Sequence, residues 1–232
     1  MDPYAWNTEA YDGSLCTQDD IRVKRVLPLV GNAGSILDIG CLDGTIGTAF
    51  LDQGNKVSGI DASNPGITKA RERGIDAKLG NLEEALPFPD GAFDLVFAGE
   101  IVEHIFDIDH LLDEVFRVLK PSGHLVVTTP NLAAFGRRLL LLVNRNPNIE
   151  ISFTRGAAGH IRYFIKRTLF DLLRHHSFEP VYFTSDMVNF NRRGTIRSCW
   201  LARAFPTFGR SLIVKAKKMR TSRMQATADS RA

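Results

Sequence analysis

Residues 37–47 read LDIGCLDGTIG. The apolar run before Gly40 reads as a strand ending. Gly40 and Gly44 allow a tight turn, and the residues after Gly44 begin a helix. Such a junction brings backbone close to a ligand. Asp38 lies inside the end of the strand, and Leu42 stands where a glycine-rich loop is expected to carry another glycine. The dinucleotide fingerprint G-x-G-x-x-G is absent, because Gly40 to Gly44 is G-x-x-x-G. A carboxylate at Asp38 would repel a pyrophosphate, but it suits a ligand carrying positive charge.

Working outward, strands and helices alternate. A helix is expected over TQDDIRVKRVLPLV, with Thr17 and Asp20 spaced as a capping box. Strands are expected at SILDI (35–39), KVSGID (56–61), DAKLG, FDLVFAG (93–99) and HLVVTTP (124–130). Helices fill the gaps: TIGTAFLDQG, PGITKARERG and the clearest one, DIDHLLDEVFRVLKPSG. There Leu111, Leu112, Val115, Phe116, Val118 and Leu119 recur at helical spacing, and Pro121 with Gly123 ends the run. Residues 131–160 read as irregular. A helix at KRTLFDLLRHH and strands at FEPVYFTS and SLIVKAKK (211–218) complete the chain. The pattern argues for an α/β fold with a mostly parallel, doubly wound sheet.

On such sheets ligands sit at the carboxyl ends of the strands. After strand one come Gly40, Cys41, Leu42, Asp43 and Gly44. After strand two comes Asp61, 23 residues beyond Asp38; an acid there can accept both hydroxyls of a ribose. After strand three come Asn81 and Leu82, where the Asn81 amide can meet an adenine edge. Gly99 and Glu100 follow strand four. Taken singly, Asp61 reads equally as a helix cap and Asn81 as a turn residue. Asp94, at the start of a strand, reads as structural. Together, the strand-end residues outline a site for an adenosine-containing ligand.

At this point the sequence resembles the class I S-adenosylmethionine (SAM)-dependent methyltransferases, and most of all their small-molecule branch. The resemblance covers roughly residues 20–218. It rests on LDIGCLDGTIG, VSGIDAS, LPFPDGAFDLVFAGEIVEHI and EVFRVLKPSGHLVVTTPN, long blocks in the right order. It implies a Rossmann-like sheet of seven strands with the last, SLIVKAKK, antiparallel. It implies that Asp38, Gly40, Cys41 and Gly44 face the methionine part of SAM. Asp61 would then bind the ribose, Ala62 would lie beside the adenine, and Asn81 and Leu82 would flank it; Gly99, at the end of strand four, is a further cofactor-binding candidate. The family commonly has aspartate at Asn81 and glycine at Leu42.

The implied reaction is in-line attack of an acceptor oxygen, nitrogen or carbon on the SAM methyl, leaving S-adenosylhomocysteine. The candidate catalytic residues are His104 and Glu103 in GEIVEHIFD, just after strand four. Glu100, Glu103 and His104 would share one face if they form a helical turn. The E-x-x-E-H spacing also looks like the metal set of ubiquinone-pathway O-methyltransferases and of small-RNA 2′-O-methyltransferases. With His160 in GHIRYF it would offer ligands for Mg²⁺, Mn²⁺ or Zn²⁺. The expectation here is that no metal is bound.

Residues 1–218 are expected to form one domain, with a helical N-terminal segment over about 1–34 and a lid-like insertion over about 131–160. In that insertion Phe135, Leu139–Leu142 and Phe153 would cover an acceptor, and Arg137 and Arg138 would meet an anionic group. The alternative is an ordinary amphipathic helix packed on the core. Residues 219–232 are expected to be a disordered basic and polar tail. The formal charge of +3 conceals an asymmetry. From Arg192 to Ala232 there are 11 Lys or Arg against one acid, a local +10, which leaves −7 on residues 1–191.

A basic tail can touch nucleic acid or an anionic membrane surface. The acidic remainder and the missing aromatic-basic stripe speak against nucleic acid. Three scattered cysteines, no secretory leader and no apolar run of membrane-spanning length give a cytoplasmic expectation. The function expected is methylation of a small-molecule acceptor at O or N. The rivals are an RNA 2′-O-methyltransferase with a metal-assisted site, a nicotinamide-dependent oxidoreductase, and a module that binds SAM without catalysis.

Overall fold

The structure, a computed structural model, describes residues 20–147, 149, 159–190 and 195–219. The expected Thr17 cap, Phe153 and most of the expected C-terminal tail lie outside these residues.

A central sheet of seven strands organises the chain in the order β3-β2-β1-β4-β5-β9-β6. The strands are β1 (Ser35–Ile39), β2 (Lys56–Asp61), β3 (Asp76–Leu79), β4 (Phe93–Gly99), β5 (Leu119–Pro130), β6 (Phe178–Thr184) and β9 (Ser211–Lys218). β1 to β5 pair in parallel. β9 is antiparallel to both β5 and β6 and lies between them. This is the Rossmann-like arrangement that the sequence implies, including the antiparallel SLIVKAKK strand.

Both sheet faces are covered, which is why the strands read as continuous apolar runs. α1 (Ile21–Val30), α2 (Thr45–Leu51) and α3 (Asn64–Glu72) cover one face. There Val26, Phe50 and Ile67 pack on Ile36, Leu95, Phe97, Val126 and Ile213. α4 (Ile108–Val118) and α6 (Lys166–His175) cover the other, against Leu37, Val96, Val127, Leu212 and Val214. Neighbouring strand residues thus alternate between two cores.

Four local readings are corrected. Asp20 is itself the cap of α1, its side chain accepting from Arg22 N at 2.7 Å, so the helix starts after Asp20. α4 ends at Val118, before Pro121, because Leu119 already pairs with Phe93; Ser122 then takes a left-handed backbone (φ 64°), and regular pairing resumes at His124. TIGTAFLDQG is helical only to Leu51 and turns through to Gly54. Part of the supposedly irregular 131–160 segment is helix α5 (Phe135–Leu142). Two further elements went unread: the short β7–β8 hairpin (Val188–Asn189 with Arg197–Ser198) and α7 (Cys199–Ala204).

Candidate active site

Parallel register brings the carboxyl ends of β1, β2 and β4 side by side, with Ile39 opposite Ile60 and Ala98. The residues that follow each strand therefore meet at one edge. In the β1–α2 loop Gly40, Leu42 and Gly44 all have left-handed backbones, at φ 74°, 46° and 76°. Leu42 thus occupies a conformation that glycine adopts freely and leucine only at a cost. The strain is opposed by a hydrogen bond from Leu42 N to Asp61 Oδ2 at 2.9 Å. A side chain on Gly40 would collide with Ile101, and one on Gly44 would press on Ile75 and Ala70.

Asp38 is buried, and burial followed by the nearby Asp61 carboxylate pushes its pKa up to about 8. Asp61 is raised too, chiefly by burial. Its Oδ1 accepts from Ser63 N at 2.8 Å. Each carboxylate oxygen has two lone pairs, so the backbone donors leave acceptor capacity. A buried acid beside a half-buried one forms an environment that a cation or a pair of hydroxyls would relieve. Cys41 is buried in the loop against the sheet, with its thiol pKa pushed up mainly by that burial. Ala62 is exposed at the mouth. Asn81 holds the turn after β3, its Oδ1 accepting from Glu83 N at 3.0 Å, while Leu82 is buried in the core. Gly99 sits at the end of β4, where a Cβ would strike the Phe97 ring at 2.6 Å.

Beyond β4 the chain does not form the helical turn that would put Glu100, Glu103 and His104 on one face. Glu100 has a left-handed backbone (φ 57°), and its carboxylate swings to Arg22 of α1 at 2.8 Å. The other two meet His160 instead. Ile161 N and Arg162 N donate to the Glu103 carbonyl at 3.0 and 3.2 Å, and Arg162 Nη1 donates to the Ile105 carbonyl. These bonds lay residues 159–162 along 103–105. One ligand atom each from Glu103, His104 and His160 lies within 4.8 Å of the others.

Glu103 is almost fully buried. Its Oε2 accepts from Thr129 Oγ1 at 2.9 Å, while Oε1 is buried without a hydrogen bond, 4.0 Å from His160 Nε2. Burial, with the Glu100 charge adding to it, raises its pKa to about 8. His104 Nδ1 lies 3.3 Å from the Gly159 carbonyl. A proton on Nδ1 satisfies that contact and leaves the basic lone pair on Nε2.

Sequence reasoning missed Arg22, Thr129 and Tyr163, whose ring centroid is 6.2 Å from that of His160. No spacing rule links Arg22 to Glu100 across 78 positions. α5 separates the two lid arginines: Arg137 turns inward and donates to the Asn131 carbonyl at 3.1 Å, whereas Arg138 is exposed and stacks over Phe208. Burial lowers the Arg137 pKa against the pull of Tyr163 and Glu100, which puts Arg137 within electrostatic reach of the site. A cleft of about 390 Å³ lined by Asp94, Lys120, His124 and Lys215 lies at the opposite edge of the sheet and is separate from this site.

Residues 37–127 match the family model described as a methyltransferase domain. The human mitochondrial ubiquinone biosynthesis O-methyltransferase is 34% identical over 149 residues, covering 54% of this chain and 40% of that protein. The ubiquinone biosynthesis O-methyltransferase of a Bradyrhizobium species is 39% identical over 102 residues, covering 41% and 40%. The chain thus spans about two fifths of the length of these relatives. Among solved structures, a SAM-dependent methyltransferase from Thermotoga maritima superposes with a TM-score of 0.63 at 21% identity, covering 93% of this chain and 90% of that one. Another from Methanosarcina mazei gives 0.61 at 23%, covering 84% and 97%.

Proposed function

We propose that the chain is a class I SAM-dependent methyltransferase and that it transfers the SAM methyl group to a hydroxyl of a small-molecule acceptor. The carrying observation is the grouping at one sheet edge of the buried Asp38, the half-buried Asp61 and the imidazole of His104. The ubiquinone O-methyltransferases among its relatives favour oxygen over nitrogen.

SAM, when bound, supplies an already activated methyl on a sulfonium centre. The chain's own residues hold and align. The loop from Gly40 to Gly44 would hold the methionine moiety, and Asp38 would offer its carboxylate to the cationic part. Asp61 would accept from the ribose hydroxyls. Ala62, Asn81, Leu82 and Gly99 would shape the adenine end. His104 Nε2 takes the acceptor's proton as its oxygen attacks, and Glu103 with Thr129 and His160 fixes the turn that carries it. Arg137, on the inner side of α5, meets an anionic group on the acceptor.

Two measurements test this reading. SAM and S-adenosylhomocysteine should raise the melting temperature while NAD does not, since a ligand stabilises the state it binds. Label from methyl-labelled SAM should then appear in an ether-forming product from a panel of phenolic and carboxylated hydroxy acceptors. Stabilisation by NAD alone would overturn the reading. His104→Gln should lower kcat by roughly 10²-fold with SAM affinity intact.

A second reading is favoured by the Glu103–His104–His160 grouping and by the orphaned Glu103 Oε1. One carboxylate and two imidazoles fit a borderline divalent ion such as Zn²⁺ better than an oxygen-preferring ion such as Mg²⁺. Metal analysis of purified protein beside Glu103→Ala decides it. Stoichiometric metal lost in the variant supports the second reading, and full activity after EDTA removes it.

A further inference from the structure

We propose that the layer formed by α5, the β7–β8 hairpin and α7 is a docking face for an anionic lipid bilayer. α5 buries none of its residues, yet it packs on β7, and α7 packs on β7 from its own side. Phe135 joins the pieces, with its ring 5.5 Å from that of Phe190 and 6.1 Å from that of Phe208. The side chains left outside are large and apolar. Leu142 is 81% exposed and Trp200 71%, and Leu141, Val143, Ile196 and Phe205 are each more than half exposed. An apolar surface of this kind on a soluble chain marks an interaction site.

Its charge says which kind. Residues 132–147 and 195–210 together hold six arginines and no Asp or Glu. Arg138, Arg145, Arg197 and Arg203 are exposed among the apolar side chains. A second copy docking by the same face would set these arginines against one another. Exposed leucines and a tryptophan interleaved with cations of one sign match the interfacial region of a bilayer with anionic headgroups: acyl chains take up the apolar groups, and headgroup phosphates take up the guanidinium groups. No described helix is long and apolar enough to cross a membrane, so the contact is peripheral.

The position also fits. α5 follows directly from the carboxyl end of β5, and its inner face carries Arg137 toward the candidate site. The docking face would therefore hold the strand-end edge that carries the candidate site near the lipid surface. The docking itself does not depend on the catalytic reading, because a methyltransferase-dead protein would still bind vesicles.

Trp200 reports on the face directly. The chain has two tryptophans, Trp6 and Trp200, so W6F leaves Trp200 as the only indole. The W6F protein is mixed with phosphatidylcholine vesicles with or without phosphatidylglycerol. Trp200 emission is expected to be solvent-like without vesicles. It should shift to the blue, and be quenched by brominated acyl chains, only when anionic lipid is present, with reversal by salt. Leu142→Asp combined with Arg203→Glu, both at exposed positions, should weaken vesicle partition by about tenfold or more with the melting temperature unchanged. The proposal is overturned if emission is already buried without vesicles, which means that this chain or a second copy covers the face. It is also overturned if emission stays solvent-like with anionic vesicles, or if neutral vesicles bind equally well.

Discussion

Leu42 holds a φ of 46° between two left-handed glycines, so the loop bends as a glycine loop does while carrying a branched side chain at its middle. The cost of that conformation is about 1 kcal/mol. Leu42→Gly is therefore expected to leave SAM affinity within a few-fold and to stabilise the fold by no more than about 1 kcal/mol, since glycine's unfolded-state entropy offsets part of the relief. Gly40→Val should abolish binding, because its side chain would run into Ile101 at a backbone angle closed to valine. Isothermal titration of both variants checks the ranking, and the reverse order would misplace the ligand in this turn.

Asp38 gives a pH prediction at the same scale. Its pKa is raised from the ordinary 3.8 to about 8, so across that window the folded chain keeps a proton that the unfolded chain has lost. Stability from this group is full below 3.8 and falls as pH rises toward 8. A cationic ligand group favours the ionised carboxylate, so SAM binding should release a proton and tighten over the same range. Melting curves of ligand-free protein from pH 5 to 8 should slope downward, less steeply in Asp38→Asn. An unchanged slope in the variant would show that Asp38 titrates outside this window.

Among elements, the starts of β1, β4 and β5 are tied by one carboxylate. Asp94 Oδ2 accepts from Ser35 Oγ at 2.6 Å, Ser35 N at 3.0 Å and Lys120 Nζ at 2.8 Å. This is the structural role that its place at the head of a strand suggests. Asp94→Ala should cost about 2 kcal/mol in urea unfolding and leave SAM affinity unchanged, because the tie lies at the edge of the sheet away from the site.

Elements such as β4 and α4 were legible in the sequence because each has a period or an apolar run that burial imposes. α5 was legible only as an alternative to an irregular lid, because Ala134 gives it no side-chain cap and none of its residues is buried, so neither a capping residue nor a core stripe marks it. The candidate site was legible strand by strand, since a parallel sheet sends every strand-end residue to one edge. The turn after β4 was not legible. The spacing of Glu100, Glu103 and His104 has a helical meaning only on a helix, and the left-handed backbone at Glu100 turns that side chain to a partner on α1. His160 was legible through the resemblance, which sets it with Glu103 and His104, whereas the backbone bonds from residues 161 and 162 that bring it there follow from no side-chain pattern.

At the scale of the molecule, the charge asymmetry read in the sequence continues onto the arginine-bearing layer of α5 and α7. The sheet itself depends on its last strand. β9 forms one ladder with β5 from His124 to Pro130 and another with β6 from Phe178 to Thr184. Val214, fully buried within it, packs among the core residues beside α4 and α6. Val214→Ala should lower stability by about 2 kcal/mol, read from the urea midpoint at unchanged slope.

The place of β9 also bears on how the molecule comes into being. A nascent chain that has been made only as far as Arg210 already possesses β5 and β6, each with a bare hydrogen-bonding edge facing a slot that nothing yet fills. Pairing across that slot joins residues more than 80 positions apart on one side and more than 25 on the other, so closure comes late and slowly. Until residue 218 emerges from the ribosome, two unshielded edges are open to other chains. Expression yield should therefore hinge on chaperone supply more than on the strength of any single contact in the finished sheet.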